Sequence, residues 1–155
     1  MVNFIRNNMI VFFTDKIEYT YQCNKEVIDM MLENPASFTE RAAILIAHSL
    51  NAQNLWCARI LGQKHTQEVW QVFHLEELHT LNEYNYTLNL KALMEHPISD
   101  SITYRNPVSE KYTSKIEDVL FHIINHATYH RGQIISEIKA NGALVSGTDF
   151  SNYKR

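Results

Sequence analysis

Four glycines and three prolines are all that interrupt 155 residues. These residues are the strongest punctuation a backbone carries, so their scarcity demands long unbroken segments, and helices are the elements that run that long. A first helix is expected from about Asp15 to Glu33, stopped by Asn34-Pro35, and a second from about Thr39 to Leu61, stopped by Gly62. After an irregular connection over residues 62–73, a third helix covers about Glu76 to Glu95, before His96-Pro97. Residues 98–113, ISDSITYRNPVSEKYT, alternate weakly and contain Asn106-Pro107, the pattern of an extended or hairpin-like excursion. Ser114 followed by Glu117 reads as a capping box ahead of Val119, Leu120 and Ile123. It starts a fourth helix that runs to about Ala140, with Asn141-Gly142 as its stop and a tail of about a dozen residues beyond. The expectation is an all-α fold with helix lengths that suit a bundle, in one domain spanning residues 1–155.

Composition narrows the partners. Fourteen basic against seventeen acidic residues give a net charge of −3, and no local basic run offsets it, so nucleic acid and anionic membranes are poor partners. The apolar run Met9 to Phe13 is too short for a signal-peptide core or a bilayer span. Cys23 and Cys57 form no CxxC pair, which fits free thiols in a reducing compartment; the expected location is cytoplasmic.

Three of the eight histidines lie four residues apart in HIINHATYHRGQI, residues 122–134. On a helix, an i,i+4 pair is separated by about 40° and about 6 Å, so two imidazoles can grip one ion. His122 and His130 are about 12 Å apart along the axis, too far for bonds of about 2.1 Å to a common ion. The apolar face of this helix centres near Ile116, Leu120, Ile123, Ala127, Ile134 and Ile138. His130 lies about 60° from that centre, His126 about 100° and His122 about 140°. The inward pair is therefore His126 and His130, with His122 at the rim.

A third donor has to come from another helix. In ILIAHSLNAQNLWCARI, His48 shares a face with Ile44, Leu45, Ala52 and Leu55 and is expected to point into the core, with Cys57 nearly opposite. Three neutral imidazoles suit zinc, nickel, copper or ferrous iron, with zinc and nickel foremost, and leave at least one coordination position open. The zincin HExxH motif is absent, because Ile123 and Ala127 follow the histidines. The Glu-x-x-His pattern of di-iron bundles is absent too, since positions 119, 123 and 127 are Val, Ile and Ala.

LFHIINHATYHRGQI, together with AHSLNAQNLWCARILG, ITYRN and NGALVSGTDFSNY, resembles the DinB family over nearly the whole chain. The resemblance implies a four-helix bundle with a hairpin-like excursion before its last helix, and a three-histidine metal site whose ligands fall on His48, His126 and His130. It also implies a metal-dependent thiol S-transferase or hydrolase, acting on a small molecule that includes a low-molecular-weight thiol in some members, and a homodimer. The tail lacks the proline that family members often carry before the position of Asp149. A non-catalytic metal-binding, sensing or dimeric structural protein is the alternative, and a fourth protein ligand, such as His122 or a carboxylate, would mark it. No residue stands out as a general base.

The neighbouring residues carry their own expectations. Gly132, unfavourable inside a helix, should permit close approach of another helix or a partner subunit. Arg131 should pair with a carboxylate or else anchor an anionic substrate. Gln133 and Asn125 should hydrogen-bond around the ligands, Trp56 should belong to the core, and Tyr129 should line a rim.

Overall fold

A computed structural model describes residues 2–65, 68–106 and 108–155, with side chains from Asn8 onward. The elements are α1 (Val2–Glu33), α2 (Glu40–Ile60), α3 (Leu78–Glu95), β1 (Ser101–Arg105), β2 (Lys111–Lys115), α4 (Ile116–Ala140) and a short α5 (Phe150–Tyr153). The fold is mostly helical, with one small antiparallel sheet in which Ser101 faces Lys115 and Arg105 faces Lys111. The expected excursion is therefore a true hairpin; its anticipated breaker Pro107 lies outside the described residues, as do Thr66 and Gln67 of the 62–73 connection. Among the described residues no helix is long and apolar enough to cross a membrane.

The breakers act where expected. Thr39 caps α2 by accepting from the Ala42 amide at 3.2 Å, and Gly62, at φ 63°, follows its end. Gly142, at φ 80°, lets the chain turn after α4, while the Asn141 and Gly142 amides donate to the Glu137 and Lys139 carbonyls.

Two expected helix starts are wrong. α1 begins at Val2 rather than near Asp15, because the stripe of buried Phe13 and Ile17 continues upstream through Met9 and Ile10, which pack on the same cluster. Ser114 is no cap: it sits in β2, with its hydroxyl 3.3 Å from that of Tyr104. The first amides of α4 are satisfied by backbone instead, Ile116 donating to the Asp100 carbonyl at 2.8 Å and Glu117 to that of Ile98 at 2.9 Å. A capping box does exist, at His74 and Glu77 in the 3-10 turn that leads into α3.

α1 packs on α3 and α4, and α2 packs on the same two helices. The core has two apolar clusters, one around Phe13, Ile17, Cys57, Leu93, Leu120 and Ile123, the other around Ile28, Met31, Ile46, Leu50, Ile134 and Ile138. Along α3, Leu78 belongs to the second cluster and Leu88, Ala92 and Leu93 to the first, while the inward positions between them are Asn82, Asn85 and Asn89. These amides are buried, and each makes at least one hydrogen bond, although Asn89 Oδ1 has no partner among the described residues. Asn24 donates to Asn82 at 3.1 Å, Asn85 to the Leu50 carbonyl at 2.8 Å and Asn89 to the Asn85 carbonyl at 2.8 Å. Such satisfied contacts offset the desolvation that an orphaned amide would suffer.

Candidate metal centre

His126 and His130 lie one turn apart on α4 and present their Nε2 atoms to each other at 3.1 Å. His48 approaches from α2, its ring centroid 5.1 Å from that of His126 and 4.9 Å from that of His130. One donor nitrogen from each of the three lies within 4.8 Å of the others, and no carboxylate or thiol of the described residues joins the group. The chain thus brings together the three histidines singled out in the sequence. His122, exposed and a turn earlier on α4, stands outside, with its ring 5.3 Å from His126 and 5.2 Å from Trp56.

His48 reaches this place differently from the expectation. The buried face of α2 runs through Ala42, Ile46, Leu50, Gln53 and Cys57, so Cys57 is in the core and His48 is half-buried at its margin. There Trp70 covers it, the two rings parallel within 12° and 3.8 Å apart. Buried Asn51, one turn on from His48, holds the Trp70 segment by donating to the carbonyls of Gln71 at 2.8 Å and Val69 at 3.4 Å. Neither residue was foreseen. Trp70 belongs to an irregular connection with no period to read, and Asn51 looks like any polar helix residue until its loop partners are known.

The electrostatics favour the neutral form of His126 and of His48. Burial, then the nearness of His130, His122 and His48, pushes His126 down to about 4, and burial followed by His130 lowers His48. Neutral imidazoles have lone pairs to give. His130 Nδ1 lies 3.0 Å from Gln133 Oε1; because that oxygen accepts only, the proton sits on Nδ1 and the Nε2 lone pair faces the triad. His48 has the Val69 backbone beside it as a hydrogen-bond partner and still offers one nitrogen within 4.8 Å of those of the other two. The donor set therefore fits a divalent transition metal.

Of the neighbours, Gln133 does what was expected, whereas Asn125 is exposed. Trp56 packs against the first core cluster, and exposed Tyr129 has its ring 5.0 Å from that of His130. Cys23 and Cys57 are free, buried thiols. Arg131 is buried and makes no ion pair among the described residues; it reaches Tyr19 Oη and Thr128 Oγ1, tying α4 to α1. The expectation for Gly132 within the chain fails: a Cβ there would meet nothing within 4 Å, so no helix packs against it.

The DinB family matches residues 18–155 of the chain. The curated Protein DinB of Bacillus subtilis (strain 168) is 27% identical over 90 residues, which cover 58% of this chain and 51% of that relative. The chain is thus aligned with about half the length of the curated relative it matches. No solved structure matches the chain. The family match takes in α2, the hairpin and α4, and with them all three clustered histidines; the chain belongs to the DinB family.

Proposed function

We propose that His48, His126 and His130 hold one divalent transition metal ion, zinc or nickel, and that the protein is a metal-dependent enzyme acting on a small molecule, as a thiol S-transferase or a hydrolase. The observation that carries this reading is the convergence of three imidazoles from two helices with no fourth protein ligand beside them among the described residues. Three ligands and an open position are the arrangement of catalytic sites, whereas structural zinc sites are closed by four. When bound, the ion lowers the pKa of a coordinated water or thiol and supplies positive charge to the reacting group. The chain's own residues do the positioning. Gln133 fixes the tautomer and orientation of His130, and Trp70, held through Asn51, fixes the plane of His48 and keeps water from that ring's face. The four long helices are assigned to the DinB-type four-helix bundle, with the hairpin between its third and fourth members.

Activity of the metal-loaded protein toward low-molecular-weight thiols paired with small electrophiles, against activity toward ester and amide substrates, decides between transfer and hydrolysis. Loss of either activity in His126→Ala ties the chemistry to the centre. A metal-loaded protein inert to both, whose ion shows four protein ligands by X-ray absorption, would support the sensing or structural alternative instead. We also propose a cytoplasmic homodimer, formed through the face of α4 that leaves Phe121 and Tyr129 exposed. Sedimentation equilibrium at micromolar concentration checks it, and a monomer with and without metal rejects it.

A further inference from the structure

Two features of α4 are unfavourable on their own and have no part in the metal centre. Arg131 is only 3% exposed, yet among the described residues its guanidinium meets no carboxylate. Its contacts are Tyr19 Oη, Thr128 Oγ1 at 3.3 Å and the Tyr19 ring at 4.8 Å, and its Nη1 is buried without an acceptor. A buried charge with an unsatisfied donor calls for a counter-charge. Gly132 follows directly. It weakens the middle of a 25-residue helix, although a Cβ at this position would touch nothing. Both residues line one cavity of about 340 Å³ between α4 and the tail segment 145–149. One anomaly supplies the charge and the other leaves the space.

We propose that this cavity binds the oxyanion group of a small molecule, a carboxylate or a phosphate, received by the guanidinium of Arg131, which lines it, with Gly132 keeping the approach open. The guanidinium fork is matched to such groups, and Lys139 and the Thr128 hydroxyl line the same space. Two carboxylates stand on the opposite side: Asp149 lines the cavity, and Glu26 accepts from Ser146 at 3.2 Å. Neither touches the guanidinium, and their charge favours a singly charged carboxylate over a phosphate dianion. The site is independent of the metal reading, since it requires no ion at the histidines.

The test is an NMR titration of metal-free protein with acetate and with inorganic phosphate, against chloride at equal ionic strength. A saturable shift of the Gly132 amide is expected, stronger for acetate than for phosphate and absent with chloride. Arg131→Gln should weaken acetate binding at least about tenfold, the loss of a charge-assisted hydrogen bond. Because that variant removes a buried tie to α1, two exposed positions carry the decision if it fails to fold. Gly132→Leu should leave the melting temperature equal or higher and abolish the shift, and Asp149→Asn should tighten acetate binding. No saturable shift with either anion, or an equal one with chloride, overturns the proposal. So does an Asp149→Asn variant that loses stability without gaining affinity, which would make Asp149 the internal partner. A Gly132→Leu variant that dissociates a dimer while still binding acetate also overturns it and assigns the cavity to a second copy.

Discussion

Removing one histidine at a time separates ligand from bystander, and the geometry sets the size of the effect. Two nitrogens each about 2.1 Å from one ion in tetrahedral array stand about 3.4 Å apart. The His126 and His130 Nε2 atoms, at 3.1 Å, are already near that span, and His48, within 4.8 Å, needs a side-chain adjustment on the order of 1 Å. At free metal one hundred times the dissociation constant, binding stabilises the fold by about 2.7 kcal/mol. For a chain of this length that raises the melting temperature by about 5 to 11 °C. Loss of a hydrogen-bond partner outside the coordination shell already costs about 10- to 100-fold in affinity, so loss of a ligand should cost at least about 100-fold. At the same metal concentration the variant then gains no more than about 0.4 kcal/mol, a shift of about 1 °C. The assay is differential scanning fluorimetry of His48→Ala, His126→Ala, His130→Ala and His122→Ala, each compared with and without metal. The metal-dependent shift should collapse in the first three and persist in the fourth. Equal collapse in all four would refute the assignment of His122 outside the site, and a full shift in His48→Ala would mean another third ligand.

Gln133→Ala should weaken metal binding about 10- to 100-fold by freeing the His130 ring, with little effect on metal-free stability, as competition against a chelating dye can read. Metal-free protein should lose stability as pH falls from about 6.5 toward 4 and no further through this group. The folded state takes up the His126 proton only near 4, whereas the unfolded chain takes it up at its ordinary value, and the contribution is fully present above 6.5. In urea titrations across that window wild type should lose stability more steeply than His126→Gln as pH falls; parallel curves would place the effect elsewhere. Nickel or copper should quench tryptophan fluorescence strongly, and Trp70→Phe should remove most of the quenching, because Trp70 lies 3.8 Å from the His48 ring. Undiminished quenching in that variant would assign it to Trp56.

What could be read in the sequence was local. Glycine and proline ended α2, α3 and α4 within a residue or two because their backbone preferences act without tertiary context. The His126/His130 pair was legible for the same reason, since i,i+4 geometry is fixed by the helix alone. The start of α1 carries no cap or breaker, and Ser114–Glu117 spells a capping box that the hairpin occupies instead, with Asp100 and Ile98 supplying the acceptors. The face of α2 was misjudged because buried Asn51 and Gln53 read as polar. For the same reason the inward side of α3 is hidden from a hydrophobic reading, being a row of asparagines that bond to α1, to α2 and to one another. Trp70 over His48 depends on where a connection folds back, which no period encodes.

The most direct measurement is elemental analysis of protein purified without a histidine tag, alongside its His48/His126/His130 triple alanine variant. One zinc or nickel ion per chain is predicted in the wild type and none in the variant. A wild type that holds no stoichiometric metal after reconstitution, or a triple variant that holds as much as the wild type, would contradict the three-histidine centre.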